Sequence, residues 1–177
     1  MLFAHDNQLD DGHSVLVCTD FTDHSNDAVK MLLSTMLKED DRIVLYQALT
    51  EPGLLDPSLD PEALNVAASI DEEGDEKARI MKATTQTMNE YMKEIRPFLG
   101  EKNAKVQIEA VLEFASDPGP ATVAMAQKIK ARFVVMGTRA LPLMQSMLLG
   151  SVSHYVLENL DSSIPVVIIR GGLAKSA

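Results

Sequence analysis

The stretch of sequence that best defines the fold is residues 133–170, FVVMGTRALPLMQSMLLGSVSHYVLENLDSSIPVVIIR. An apolar run over residues 132–136 predicts a buried strand, and a second run over residues 165–170 predicts another. Between them lie a long connection, residues 137–151, and a predicted helix with an inner face formed by Val152, Tyr155, Val156 and Leu160. Two strands joined through a helix indicate a parallel pair within one sheet.

The rest of the chain repeats this alternation of strand and helix. Further strands are predicted at residues 14–19, 42–48 and 105–112. Helices are predicted at about residues 25–38 and 72–98, and after a cap at Asp117 or a neighbour. These elements predict an α/β fold with a doubly wound, five-stranded, mostly parallel sheet and helices on both faces. The strand at residues 105–112 alternates apolar and polar side chains, which is typical of a partly exposed edge.

The chain of 177 residues has the size of one domain. We expect that domain over residues 13–172, between a polar tail at residues 1–12 and a short tail at residues 173–177. Residues 50–71 contain three prolines and several acids, and they are expected to form a surface insertion or else a lid near a ligand. No signal peptide is recognisable, and the single cysteine, Cys18, ends an apolar run as a core thiol would, so we expect a cytoplasmic protein.

Charge and hydropathy argue against two classes of partner. The net charge of −10, without any basic run, would repel duplex nucleic acid and anionic membrane. No apolar run approaches the ~20 residues that cross a bilayer. A small anionic ligand stays open, because backbone dipoles at a helix terminus can bind it locally.

Candidate ligand-binding residues lie at the carboxyl ends of two predicted strands, where doubly wound sheets bind ligands. The first segment is TDFTDHS, residues 19–25, and the second is the connection over residues 137–151. Gly137 would allow a sharp turn, while Gly150 and Ser151 would open a helix whose N–H groups attract phosphate. Each feature alone is more often structural, so it is their combination in one connection that indicates an anion site.

The histidines do not indicate a catalytic or metal site. His5, His13, His24 and His154 form no close pair with metal-ligand spacing, and His24 beside Asp20 and Asp23 is more typical of an exposed turn. The chain has no Walker lysine motif and no G-x-G-x-x-G after its first strand, which argues against P-loop phosphoryl transfer and Rossmann dinucleotide binding. We therefore expect no catalytic or metal-ligating residues.

The spacing around the long connection is specific enough to indicate a family. The series Gly137-Thr138-Arg139-Ala140, nine residues, Gly150-Ser151 and then Pro165-Val166-Val167 resembles the ATP-binding signature of the universal stress protein family. Thr19-Asp20-Phe21-Thr22-Asp23 and residues 44–49 resemble its first and second strands, so the likeness covers nearly the whole chain. The resemblance implies a flavodoxin-like sheet of the adenine nucleotide alpha hydrolase type, with strand order 3-2-1-4-5.

The same resemblance implies an adenine-nucleotide site. Asp20 would accept hydrogen bonds from ribose hydroxyls, and Ala48 would offer backbone groups to the adenine edge. Arg139 fits phosphate neutralisation and a solvated loop side chain equally well. The residues that the resemblance places around the nucleotide are Thr19, Asp20, Phe21, Ala48, Met136, Gly137, Arg139, Ala140, Gly150, Ser151, Val152 and Ser153. ATP or another adenine nucleotide is the implied ligand, and Mg²⁺ would accompany its phosphates.

One position departs from the family pattern, because Ala140 stands where the second glycine is expected. If the position needs a positive φ, alanine imposes strain on the order of 1–2 kcal/mol. If it needs only a close approach, the methyl group crowds the phosphate. Either effect would weaken ATP binding by roughly tenfold per 1.4 kcal/mol without changing the fold.

Three functions therefore stay open. The first is a regulatory protein that binds ATP, ADP or AMP at the carboxyl ends of the strands, which Gly137, Gly150 and Ser151 favour. The second is a stress-response dimer that binds no nucleotide and acts through protein contacts, which Ala140 favours. The third is a slow nucleotide hydrolase. The resemblance also implies a symmetric homodimer through the strand at residues 165–170, an apolar edge that invites pairing.

Overall fold

The computed structural model describes residues 13–51, 73–138 and 150–170. Its strands are β1 (Ser14–Cys18), β2 (Arg42–Thr50), β3 (Gln107–Ala115), β4 (Phe133–Thr138) and β5 (Val166–Arg170). The helices among these residues are α1 (Asp23–Thr35), α2 (Glu73–Ile95), α3 (Pro118–Lys128) and α4 (Ser151–Asn159), and a 3₁₀ turn, Arg96–Leu99, follows α2. The expected tails and nearly all of the expected insertion at residues 50–71 lie outside the described residues.

The strands form one parallel sheet in the order β3-β2-β1-β4-β5. In its centre, Leu16 of β1 is the register partner of Val44 in β2 and of Val134 in β4. The predicted fold class and strand order are confirmed, and so are the two edges, β3 and β5. The predicted cap of α3 is confirmed as well, since the Asp117 carboxylate accepts a hydrogen bond from Gly119 N at 2.9 Å.

Some boundaries differ from the prediction for local reasons. β1 ends at Cys18 because Thr19 already belongs to the turn that leads into α1. β3 begins at Gln107 because the Val106 N–H donates to the Asn103 carbonyl in a turn, at 3.0 Å. It continues to Ala115 because it pairs with β2 along its whole length.

The core has two layers, one on each face of the sheet. On one face, α1 and α2 cover Val17, Leu45 and Val135. On the other, α3 and α4 cover Leu16 and Val44. Successive residues of a strand point to opposite faces, so a strand covered on both faces must be apolar throughout. None of the described helices is long and apolar enough to span a lipid bilayer.

The edge of the sheet where the strands begin, the amino edge, is held by a buried ion pair. Asp41 precedes β2 and accepts hydrogen bonds from Arg132 Nη2 at 2.6 Å and Nε at 3.1 Å. The same carboxylate accepts the Lys38 N–H at 2.7 Å. In addition, Arg42 N–H donates to the His13 carbonyl and Arg132 N–H donates to the Ser14 carbonyl. These bonds fix the starting points of β1, β2 and β4 relative to one another.

Candidate functional site

The candidate site is a crevice at the opposite edge of the sheet, beyond the last paired residues of β1 and β4. Those residues, Cys18 and Met136, are register partners. From β1 the chain continues into α1 on one face, and from β4 it continues toward α4 on the other face. The two helices therefore lie on opposite faces of the sheet, the arrangement in which doubly wound folds form a crevice where strand order reverses.

β2 extends beyond the end of β1 and so forms one side of the crevice. The final backbone bond between these strands runs from Thr19 N–H to the Tyr46 carbonyl, at 3.0 Å. Peptide groups of a parallel strand point alternately to its two neighbours, so those of Ala48 point to the same side as those of Tyr46. The Phe21 N–H would be the next partner of the Ala48 carbonyl, but it donates to Thr19 Oγ1 at 3.2 Å. The Ala48 peptide groups are thus directed into the crevice.

The other side is formed by the Asp20 turn, residues 19–22. The exposed Asp20 carboxylate accepts two hydrogen bonds at Oδ1, from Thr22 N at 3.1 Å and from Thr22 Oγ1 at 2.6 Å. Thr22 is also the N-cap of α1, with its hydroxyl accepting from Ser25 N at 3.5 Å. The side chain of Asp20 is therefore tied to the start of α1.

Thr19 stabilises this turn from its buried side. Its side chain is buried, and its hydroxyl lies 3.3 Å from the Ser25 hydroxyl in addition to accepting the Phe21 N–H. The Ser25 hydroxyl lies 3.0 Å from the Thr22 carbonyl, to which it donates. Thr19 thus holds the turn together, and its side-chain oxygen is directed inward rather than at the exposed surface.

The amino terminus of α4 closes the crevice on the β4 side. Gly150 is the N-cap, without a side-chain cap, and no described residue has an atom within 4 Å of the position where its Cβ would lie. The first backbone bond of the helix runs from His154 N–H to the Gly150 carbonyl. The N–H groups of Ser151, Val152 and Ser153 consequently have no acceptor within the helix. An exposed Ser151 and three such N–H groups suit an anion.

The neighbouring residues of α4 are directed toward the core. Ser153 is buried, and Val152 is half-buried against the layer that α3 and α4 cover. Their side chains therefore fix the helix on the sheet. It is their backbone that is available to a ligand.

The position of Gly137 differs from the prediction. β4 does not end at Met136 but continues through Thr138, because β5 pairs with it as far as Arg170. Gly137 is therefore a strand residue opposite Ile169, and the sharp turn expected at Gly137 is wrong. Met136 is buried beneath the crevice. Arg139 and Ala140 lie outside the described residues.

Cys18 is the last residue of β1, and its side chain is partly buried against the layer that α3 and α4 cover. Burial raises its pKa to about 12, and a hydrogen bond with the Thr122 side chain offsets only part of that rise. The expectation of a core thiol agrees with this environment.

We predict that iodoacetamide alkylates Cys18 at least about 100-fold more slowly in the folded than in the urea-unfolded protein, at about pH 8.5, because only the thiolate reacts.

The raised pKa of Cys18 also has a consequence for stability. The unfolded chain releases this proton near pH 9.0 while the folded chain keeps it to about pH 12, so stability falls across that interval. The difference in unfolding free energy between the wild type and Cys18→Ala should be constant below about pH 9 and should change only above it. For the alkylation, equal rates in the folded and the urea-unfolded protein would contradict the prediction.

Tyr46, two residues before Ala48 on β2, links this strand to β3. Its hydroxyl donates to Glu113 Oε1 on β3 at 2.5 Å. Burial, followed by this hydrogen bond and the charge of Glu113, raises the pKa of Tyr46. The pair joins β2 to β3 near the point where β2 lines the crevice, which keeps that side of the crevice in place.

Sequence reasoning missed Tyr91, which lies under the Asp20 turn. In the sequence of α2, Met81, Met88, Met92 and Ile95 fall on one helical stripe, and of these Met88 and Ile95 are buried. Tyr91 is also buried, three residues after Met88 and four before Ile95. That helical spacing was the available signal. Its ring contacts Phe21, with the ring centroids 5.5 Å apart and the planes at 76°.

The structure also brings together a histidine and two acids that no sequence motif groups. His13, Asp40 and Asp41 have candidate ligand atoms within 4.8 Å of one another at the amino edge. His13 Nδ1 lies 3.0 Å from Asp40 Oδ2, but both Asp41 oxygens are bound by Arg132. The guanidinium already supplies the positive charge that a metal would supply, so this group is an ion-pair cluster.

Comparisons with known proteins agree with this geometry. The model of the "Universal stress protein family" matches residues 13–170. No curated protein matches the chain. Among solved structures, the hypothetical protein MJ0577 is 17% identical with a TM-score of 0.65, covering 94% of this chain and 99% of its own. Universal stress protein UspA from Lactobacillus plantarum is 14% identical with a TM-score of 0.61, covering 90% and 98%. A universal stress protein family protein from Arabidopsis thaliana, solved with AMP bound, is 16% identical with a TM-score of 0.51, covering 93% and 95%.

Proposed function

This chain belongs to the universal stress protein family, and from that premise we propose that it is a regulatory protein that binds an adenine nucleotide in the crevice. The observation that carries the proposal is the convergence of three unlike groups at one edge of the sheet. They are the peptide groups of Ala48, the carboxylate of Asp20 and the N–H groups at the start of α4. Each suits a different part of a nucleotide.

The base would bind at the end of β2. Adenine presents an acceptor, N1, beside a donor, the N6 amino group, and a peptide N–H and C=O pointing the same way can bind both. Ala48 directs such a pair into the crevice because β1 ends two residues lower. Its small, half-buried side chain packs into the core and leaves that edge open.

The ribose and the phosphates would bind at the other two groups. Asp20 accepts hydrogen bonds, which is what ribose hydroxyls need, and charge-assisted bonds of this kind are among the stronger ones. The N–H groups of Ser151, Val152 and Ser153, which have no acceptor within the helix, and the positive end of the α4 dipole would stabilise a phosphate. This local field explains how a chain of net charge −10 could bind an anion.

Structures that share this fold support the proposal. Universal stress proteins have been solved in complex with cAMP, with dAMP and with AMP. Their sequence identity to this chain is 19%, 14% and 16%, so the support comes from the shared fold combined with the residues present here.

Calorimetric titration of the purified chain with ATP, ADP and AMP, with and without Mg²⁺, tests this function. We expect the wild type to bind, and Ala140→Gly to bind about tenfold more tightly if Ala140 crowds or strains the phosphate loop. Ala83→Gly, at an exposed position of α2, is the matched control for introducing a glycine and should leave the affinity unchanged.

The outcomes separate the candidate functions. Binding by Ala140→Gly but not by the wild type would favour the dimer that works without nucleotide. Binding by neither protein would overturn the nucleotide site itself.

We further propose that the chain forms a symmetric homodimer through β5 in the cytoplasm. β5 is an edge strand, and its Val166, Val167 and Ile168 are only half-buried. Leu157 of α4 is 47% exposed, and it lies on the flank of the helix away from Tyr155, which contacts α3. The free strand edge and this leucine would form one apolar strip for a second copy.

The dimer is tested by size-exclusion chromatography with light scattering at micromolar concentration. We expect a dimer mass for the wild type and a shift toward monomer for Leu157→Lys. Met31→Lys changes a comparably exposed residue on α1 and should remain dimeric. A monomeric wild type would contradict the proposal.

A further inference from the structure

Phe21 has an unusual backbone conformation within the Asp20 turn. Its φ is 59°, in the left-handed region that bulky residues rarely adopt. Of the other described residues that are not glycine, Lys130 alone shares a positive φ, at 48°. Residues held in this way concentrate at functional sites, where the surrounding structure must fix them.

In this turn the left-handed residue lies between Asp20 and Thr22, and both the N–H and the hydroxyl of Thr22 reach Asp20 Oδ1. Ser163 makes the same pair of bonds to Asp161 Oδ1 across a residue that is not left-handed, so the bonds alone do not require this conformation. What the conformation of Phe21 sets is the course of the chain that carries Asp20 and Thr22. The direction of the Asp20 carboxylate therefore depends on the backbone of Phe21.

Two weak backbone contacts hold Phe21 from its own neighbourhood. Its N–H donates to Thr19 Oγ1 at 3.2 Å, and its carbonyl accepts from Asn26 Nδ2 at 3.4 Å. The Phe21 side chain packs against the core layer under α1 and α2, and within that layer the Tyr91 ring, from far along the chain, meets the Phe21 ring edge-on. Edge-to-face aromatic pairs add attraction beyond their buried area, and this one fixes the Phe21 ring from outside the turn.

Burying the Tyr91 side chain costs free energy, because it removes a hydroxyl group from water. Its ring is buried, and its hydroxyl has no partner at hydrogen-bond geometry among the described residues. Burial, followed by the charge of Glu94, raises the pKa of this hydroxyl, while the nearby Thr19 side chain lowers it in part. A phenylalanine would fill the same space without burying a polar atom. The ring, rather than the hydroxyl, is what the turn uses.

We propose that Tyr91, through its ring contact with Phe21, is a positioning residue that fixes the Asp20 carboxylate in the direction needed to bind the ribose hydroxyls. The inference rests on the proposed nucleotide function and adds to it a residue on α2, outside the crevice. It assigns Tyr91 no contact with the ligand. Its effect should therefore appear only in the interaction that Asp20 makes.

The test compares AMP with 2′,3′-dideoxyadenosine monophosphate, which lacks the hydroxyls that Asp20 would bind. By calorimetry, the wild type should bind AMP about tenfold more tightly than the dideoxy compound, the size expected for a charge-assisted hydrogen bond. Asp20→Ala, Phe21→Ala and Tyr91→Leu should each lose most of this preference, with little change for the dideoxy compound. Tyr91→Phe keeps the ring and should retain the preference.

The second measurement asks whether the effects of these substitutions on AMP binding are additive. Adding Phe21→Ala or Tyr91→Leu to Asp20→Ala should not reduce AMP binding further, because the three residues act through one carboxylate. Tyr91→Leu changes the turn from outside, so it answers the question even if Phe21→Ala fails to fold. Circular dichroism and thermal unfolding establish that each variant is folded.

Three results would overturn the inference, and they are distinguishable from failure of the proposed function. An equal loss of affinity for both nucleotides in Tyr91→Leu would show a merely structural role. A full preference for AMP in that variant would show that Tyr91 does not position Asp20. Equal binding of both nucleotides by the wild type would show that Asp20 does not bind the ribose, with the nucleotide function intact. If the wild type binds neither nucleotide, both proposals fail.

Discussion

An Asp41→Ala variant is expected to lose about 2–4 kcal/mol of unfolding free energy, because the substitution strands a partly buried guanidinium and a backbone donor. The Asp41 side chain is 0% exposed and that of Arg132 is 26% exposed. The carboxylate accepts hydrogen bonds from Arg132 Nη2 and Nε and from Lys38 N. Removing it leaves these donors without their acceptor, close to the starting points of β1, β2 and β4.

Urea unfolding followed by circular dichroism measures this loss. Asp40→Ala is the matched control, because its side chain is 63% exposed and its partner is His13, so it should cost less than about 1 kcal/mol. Arg132→Ala and the double variant complete a cycle in which the double variant should be less destabilised than the sum of the single variants. Equal losses for Asp40→Ala and Asp41→Ala would contradict the prediction.

Gly119→Ala is expected to destabilise the protein by about 1–3 kcal/mol, although alanine normally favours a helix over glycine. A Cβ at position 119 would lie 2.9 Å from Cδ1 and Cγ of Tyr155 and 3.1 Å from its Cβ. These atoms are close to the α4 backbone, so the clash cannot be relieved at the tip of a flexible side chain. The first turn of α4 should shift away from α3, and Ser151 with it. We therefore also expect weaker nucleotide binding.

The control variant removes the Tyr155 ring, which the added methyl group would otherwise meet. In a Tyr155→Ala background the same substitution should be neutral or slightly stabilising, since the helix preference of alanine is then unopposed. Thermal unfolding gives the stability of the four proteins, and calorimetry with AMP gives the affinity. A stable Gly119→Ala single variant would show that α3 and α4 separate at little cost, and it would contradict the prediction.

The strand order and the helix positions could be predicted because their signals are local. Continuous apolar runs identified β1, β4 and β5 as strands covered on both faces, and Asp117 identified the start of α3. The end of β4 could not be predicted from Gly137, because a partner strand rather than the glycine decides how far β4 extends.

The candidate site was predictable only where it resembles a known pattern. Gly150 and Ser151 were found by their spacing, and Asp20 through the family resemblance; the structure has Asp20 just after β1 and the other two at the start of α4. Contacts between residues that are distant in sequence could not be predicted in this way. Tyr91 lies 70 positions from Phe21 by its number, and Arg132 lies 91 positions from Asp41. Nothing in either local sequence specifies those partners, since tertiary packing brings them together.

The early end of β1 has a consequence for how base selectivity could change during evolution. Guanine presents a donor at N1 and an acceptor at O6, the reverse of adenine, so the Ala48 peptide would meet it donor to donor and acceptor to acceptor. A preference encoded in the main chain is the same for every side chain at position 48. Drift at that position could alter packing but would not convert an adenine site into a guanine site. Only proline, which lacks the N–H, would remove the donor, so selectivity would be more durable than the residue that provides it.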